Sequence, residues 1–150
     1  MATEIVESLQ KICKDLLEKL EIKGKITIEQ GDERYLVNFE AEETGMLIGY
    51  HGENIEAIQV VLTQMIYHQT KQWIRIDVNV GDYWQKREEK LKAMADRAVE
   101  EVLFSNKSCT MPEMTSKERR IVHLYLKEKV EVKTESVGEG EARRLVIFPQ

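Results

Sequence analysis

Gly45-Met-Leu-Ile-Gly-Tyr-His-Gly-Glu-Asn-Ile-Glu-Ala-Ile-Gln59 is the stretch on which the reading of the fold turns. Two glycines three apart, Gly49 and Gly52, separate an apolar turn from a segment with apolar residues at helical spacing. Ile48 precedes the pair, and Ile55, Ile58, Leu62, Met65 and Ile66 follow at steps of three and four. Glycine has no Cβ, so another backbone can approach both positions and φ can turn positive. The N–H groups that open the next helix lack intrahelical partners and face the positive end of its dipole, which favours phosphate.

Outward from this stretch the chain alternates between two periodicities. Residues 2–20 carry Ile5, Leu9, Ile12, Leu16, Leu17 and Leu20 on one stripe and read as a helix closed by Gly24. Residues 25–30 and 34–40 alternate as strands, with Gly31-Asp32 as a hairpin turn that places glycine first. A helical turn near 44–48, the glycine loop and a helix to about 69 follow. Residues 72–80 put Ile74, Ile76, Val78 and Val80 on one strand face. The order is α-β-β-α-α-β.

Gly81-Asp82 is the break before a second unit, which divides the chain into domains at 1–81 and 82–150. A helix is expected over 83–104, with Leu91, Met94, Ala95, Ala98 and Val102 inward. Residues 105–114 read as a loop, 116–128 as a helix, and 129–136 and 143–148 as strands joined at Gly138-Glu-Gly140. Thr115 and Glu118 have the spacing of a capping box. At 100° per residue, Leu124, Ile121, Tyr125, Val122 and Leu126 cover one side of the 116–128 helix. Arg119, His123, Ser116, Lys127 and Arg120 share the other. That arc is cationic and holds no carboxylate. Arg119 and His123 are one turn apart and can grip one anionic group. The same arc is also the ordinary solvated face of a surface helix, and spacing alone does not choose between the two.

The segment Met114-Thr-Ser-Lys-Glu-Arg-Arg-Ile-Val-His-Leu-Tyr-Leu126, with Gly138-Glu-Gly-Glu141 and Arg143-Arg-Leu-Val-Ile-Phe-Pro149, resembles the R-three-H domain. Together with the glycine loop, which resembles the G-x-x-G clamp of KH domains, it resembles the bacterial Jag family (SpoIIIJ-associated, KhpB/EloR). The resemblance implies an α+β chain of two small domains. A bacterial-type (type II) KH domain, a three-stranded sheet backed by helices, precedes the R-three-H module. It implies a cytoplasmic, non-enzymatic RNA-binding regulator linked to cell elongation and envelope growth. Its expected partners are single-stranded RNA (with single-stranded DNA as the related ligand) and a small single-KH-domain protein or a second copy. The family's N-terminal Jag domain is expected to be missing. The expected RNA contacts are Gly49, Tyr50, His51 and Gly52 in the loop, with Arg119, Arg120, His123, Lys117, Lys127 and Arg143 in the second domain. The family's loops usually carry Lys or Arg between the glycines, where this chain has Tyr50-His51. Tyr50 would stack a base and His51 would donate to phosphate. The rival expectation is an adaptor that pairs through the KH half and touches little RNA.

Composition narrows the alternatives. The 150 residues are 42% hydrophobic, enough for a real core, with a mean hydropathy of −0.43. No apolar run approaches the ~18 residues of a membrane span, so direct membrane insertion is not expected. The acidic start lacks the basic region of a secretory signal. Net charge is −5, but unevenly spread: residues 1–80 carry 8 Lys+Arg against 14 Asp+Glu, and residues 81–150 carry 14 against 13. Phosphate is better received by the second half, and the first relies on its loop backbone. Cys13 and Cys109 stand apart, outside any metal-ligand spacing. His68 reads as a helix-end residue, and Trp73 and Trp84 as packing near the junction. Glu42-Glu43 and Glu88-Glu89 are adjacent and point apart, unsuited to paired acid–base work. No catalytic residue, metal, cofactor or small-molecule substrate is expected.

Overall fold

The computed structural model describes residues 2–150. Two compact units divide it, one ending at Trp84 and the other spanning Gln85–Gln150.

The first unit runs α1 (Ala2–Lys19), β1 (Gly24–Gln30), β2 (Arg34–Ala41), α2 (Gly45–Ile48), a 3₁₀ turn (Tyr50–Gly52), α3 (Glu53–Thr70) and β3 (Arg75–Val80). Its sheet has the order β1-β2-β3, antiparallel between β1 and β2 and parallel between β2 and β3. Ile5, Leu9, Ile12 and Leu17 of α1 and Ile55, Leu62 and Ile66 of α3 meet Val37, Phe39, Ile76 and Val78 in one buried cluster. Several local details differ from the sequence expectation. The first helix is closed by Glu21 at φ 57, not by Gly24. The Ile22 N–H donates to the Leu17 carbonyl and the Glu21 N–H to Glu18, a Schellman arrangement with a non-glycine residue in the left-handed position. The β1–β2 connection takes three residues, closed by the Gly31 N–H on the Arg34 carbonyl at 2.8 Å, and Gly31 does not adopt positive φ. Gln72, Trp73 and Ile74 precede the third strand rather than belong to it. Trp73 stacks on Tyr67 with ring centroids 4.2 Å apart and stays exposed. Met65, expected inward, is also exposed, because the buried stripe of α3 follows Ile55, Leu62 and Ile66.

The second unit holds most of α4 (Tyr83–Ser105), then β4 (Cys109–Thr110), α5 (Ser116–Leu126), β5 (Val132–Val137), a 3₁₀ turn (Gly140–Ala142) and β6 (Arg144–Pro149). Its sheet is β4-β6-β5, antiparallel throughout. Leu91, Ala95 and Val102 of α4 and Val122 and Leu126 of α5 close over Val132, Leu145 and Ile147. The segment 105–114 is not all loop: Cys109 and Thr110 pair with Ile147 and Val146, a two-residue strand too short for alternation to reveal. The helix expected to 128 ends at Leu126, and the strand expected from 129 begins at Val132.

Candidate nucleic-acid interface

The glycine loop is held in one shape by its neighbours. Gly49 has φ 68 and Gly52 φ 81, both in the region that favours glycine. A Cβ on Gly49 would stand 2.5 Å from Cγ of Asn54, and one on Gly52 3.0 Å from Cη2 of Trp84. Asn54 is in turn fixed by donating from Nδ2 to the Met46 carbonyl at 2.7 Å, tying α3 back to α2. The loop is thus pinched between a side-chain amide and an indole. Its two middle residues form a stacked pair, with the Tyr50 and His51 rings 4.0 Å apart and 12° from parallel. Tyr50 is 61% exposed. His51 adopts φ 51, a left-handed conformation that non-glycine residues rarely hold without surrounding restraint. Glu53 and Glu56 occupy the first turn of α3, so the positive end of its dipole already faces two carboxylates.

In the second unit the capping box forms as expected. The Glu118 N–H donates to Thr115 Oγ1 at 3.2 Å, and the Thr115 N–H donates to Glu118 Oε2 at 3.0 Å. Arg119 folds back over this turn, donating from Nη1 to the Met114 carbonyl at 2.7 Å and from Nη2 to Ser116 Oγ at 3.0 Å. His123 turns toward the sheet, where Nδ1 and Thr134 Oγ1 share a hydrogen bond of 2.5 Å. Its Nε2 is left without a protein partner among the described residues. Which of Nδ1 and Oγ1 donates depends on the imidazole tautomer: where the hydroxyl donates to Nδ1, the neutral ring carries its proton on Nε2. Arg119 and His123 therefore sit one turn apart on α5 but are anchored in different directions, one to the helix entry and the other to β5.

The remaining cations are spread more widely. Arg120 and Lys117 are exposed on α5, and Lys127 is exposed at its C-cap. Arg143 lies at the tip of the β5–β6 hairpin, donating to the Gly138 carbonyl at 2.9 Å. Val137, which pairs with Arg144 beside it, is three residues and about 10 Å along β5 from Thr134. The arrangement pairs Arg119 with Ser116 and His123 with Thr134 and places Arg143 apart. The helix sides differ from the expected ones at Leu124, which is 52% exposed. The inward stripe is Glu118, Val122 and Leu126, and Glu118 is fully buried. Asn54, Thr134 and the Arg87–Glu118 pair carry no periodic signal. Their partners lie 8 to 31 residues away.

Among the described residues no group of three or more His, Cys, Asp or Glu could hold a metal ion. No helix among the described residues is long and apolar enough to cross a membrane.

Two family models match the chain: the KhpA/KhpB KH domain over residues 6–78 and the R-three-H domain over residues 89–149. RNA-binding protein KhpB of Bacillus subtilis is 27% identical over 144 residues, covering 95% of this chain and 69% of that protein. The Lactiplantibacillus plantarum protein of the same name is 27% identical over 143 residues, with 93% and 44% covered. That of Streptococcus pneumoniae is 25% identical over 147 residues, with 98% and 44% covered. The chain thus spans less than half the length of two of these relatives. With both domain models matched in this order, and relatives of one name aligned across nearly all of it, the chain belongs to the KhpB/Jag type of protein, which joins a KH domain to an R-three-H domain.

Proposed function

We propose that the chain is a non-enzymatic RNA-binding regulator that holds single-stranded RNA at two places. The observation that carries this reading is the loop: two positive-φ glycines, braced by Asn54 and Trp84, hold Tyr50 exposed with the half-buried His51 stacked on it. A backbone that close to the surface lets a sugar-phosphate chain pass, and the exposed Tyr50 ring offers a face on which a base can stack. The second place is the α5 surface, where Arg119, His123 and Arg120 face phosphate, flanked by Lys117 and Lys127, with Arg143 reaching an adjoining nucleotide from the hairpin. The relatives' shared name, RNA-binding protein, supports the ligand class. A cytoplasmic setting and a link to cell elongation follow from the family resemblance.

The test is RNA affinity of the whole chain with each place changed separately. Tyr50→Asp with His51→Asp puts two negative charges where phosphate passes, and Arg119→Ala removes a donor fork. Each should weaken binding to a single strand, and a duplex should bind less well than the single strand.

A second reading is favoured by the exposed valines Val60 and Val61 and by Met65 on α3. They form an apolar helix surface on which a small KH protein or a second copy would pair. Loss of RNA binding by Arg119→Ala together with full binding by the loop variant would make the KH half an adaptor.

A further inference from the structure

The loop between the glycines carries no lysine or arginine, yet the first unit is not without cations. Its eight Lys and Arg fall into two groups. Arg34 and Arg75 pair at one end of the sheet. Lys71 caps the C-terminus of α3, whose 18 residues span about 27 Å from the loop. The other five, Lys11, Lys14, Lys19, Lys23 and Lys25, lie on α1, on β1 or between them.

The register places part of this second group at the loop end of the sheet. Gly24 pairs with Ala41, the last residue of β2, and the Gly81 N–H bonds to the Phe39 carbonyl beside it. After three connecting residues, Glu42, Glu43 and Thr44, the chain enters α2 and then the glycine loop. Lys23 and Lys25 therefore flank the strand end from which the loop departs. They also line a groove of about 670 Å³ between α1 and β1, together with Lys14 and an apolar floor of Leu17, Ile22 and Ile26. Glu18 is the one carboxylate on its walls. All three lysines are exposed, and no ion pair among the described residues uses any of them.

From this placement we infer that the α1–β1 groove is a further RNA-binding subsite, in which Lys14, Lys23 and Lys25 take phosphates of the single strand continuing past the Gly49–Gly52 loop. The inference rests on the RNA-binding reading above. The loop positions the strand through backbone and ring, and the groove supplies the charge that the loop lacks. β1 is an edge strand, so an acidic extended peptide is the competing occupant. RNA is favoured by continuity with the loop.

The test uses the whole chain with Lys23→Glu/Lys25→Glu and, as a milder variant that keeps side-chain length, Lys14→Gln/Lys23→Gln/Lys25→Gln. Single-stranded oligonucleotides of increasing length are titrated at several salt concentrations. The expected result is unchanged affinity for the shortest bound oligonucleotide and a loss of about tenfold for long ones. The salt slope should become shallower by about 0.7 for each phosphate that the groove no longer neutralises. Unchanged affinity and slope at every length, while Tyr50→Asp/His51→Asp still weakens binding, would overturn the groove and leave the loop intact. No effect of either set would instead overturn the RNA reading of this unit. Loss of binding to a poly-glutamate peptide, with RNA binding untouched, would assign the groove to a protein partner and overturn the inference.

Discussion

Arg87 Nε donates to Glu118 Oε1 at 2.6 Å, joining α4 to the first turn of α5. Glu118 is fully buried and the Arg87 side chain is 13% exposed. The other carboxylate oxygen accepts the Thr115 N–H, so one group serves as both helix cap and ion-pair partner. A buried charge is tolerated only when it is paired and hydrogen-bonded, and removing one partner strands the other. Glu118→Ala is therefore expected to destabilise the second unit by about 3–5 kcal/mol, well above the ~1 kcal/mol of a missing cap. Urea denaturation measures it. A loss within the range of a cap alone would mean that Arg87 finds water on its own.

Gly49 and Asn54 should be energetically coupled. Gly49→Ala meets Asn54 Cγ and also forces alanine into positive φ, a cost of more than about 1 kcal/mol. Asn54→Ala alone removes the bond to Met46 and costs about 1 kcal/mol. If the clash contributes, the double variant will be less destabilised than the sum of the singles, since the amide is gone. Strict additivity in thermal unfolding would leave backbone strain as the whole reason for glycine here.

Thr134 positions His123 through the hydrogen bond at Nδ1. Thr134→Val keeps the shape and removes the hydroxyl, freeing the imidazole to rotate. The expected outcome is RNA affinity several-fold weaker, with stability changed by about 1 kcal/mol or less. Thr134→Ser should restore the affinity. A serine variant as weak as the valine one would show that the methyl, and hence packing, matters instead of the hydrogen bond.

The same residues explain what is legible in the sequence and what is not. Strong periodicity sets the element order of both units, because Ile26, Val37, Phe39 and Val78 alternate and Leu9, Leu62 and Val122 recur at helical steps. The glycine pair and the Arg119–His123 spacing are local, so they stand out as motifs. Glu21 as a helix stop does not, since nothing but tertiary context favours glutamate in a left-handed position. The strand at Cys109–Thr110 is set by β6, and its own two residues carry no pattern. Glu118 reads from sequence only as a cap: its burial depends on Arg87, 31 residues away. Leu124 reads as inward by its apolar side chain, although the true stripe is centred on Val122.

Asp96 links acid stability to the packing of α4 against the loop after α5. Lys129 stands 3.0 Å from its carboxylate, and the Tyr125 hydroxyl donates to both its oxygens. The Lys129 bond, outweighing partial burial and aided by Tyr125, holds Asp96 below the ordinary aspartate value. A depressed acid stabilises the fold above its unfolded pKa and loses that contribution as pH falls through the folded one. The Asp96 side chain is 43% exposed and that of Lys129 35%, so the effect will be small and weakened by salt. The denaturation midpoint of the native chain should fall more steeply below about pH 4 than that of Asp96→Asn. Parallel profiles would remove Asp96 from the acid limb.

Cys13 governs the opposite limb. It is fully buried in the first unit, and burial pushes its thiol from 9.0 up to about 12. A group whose folded pKa is raised contributes stability below its unfolded value and loses it as pH rises toward the folded one. The first unit should therefore weaken between pH 9.0 and about 12, and Cys13→Ala should flatten that loss while costing some packing at neutral pH. The thiolate is the reactive form, so Cys13 should also resist thiol reagents in the native chain. Cys109, half-buried beside Glu101, is raised by burial first and by that carboxylate second. It should label slowly but ahead of Cys13. The native chain should thus show one titratable thiol near neutral pH and two once denatured. Equal labelling of both in the native state would mean that the packing of α1 on the core opens readily, and the alkaline prediction would fall with it.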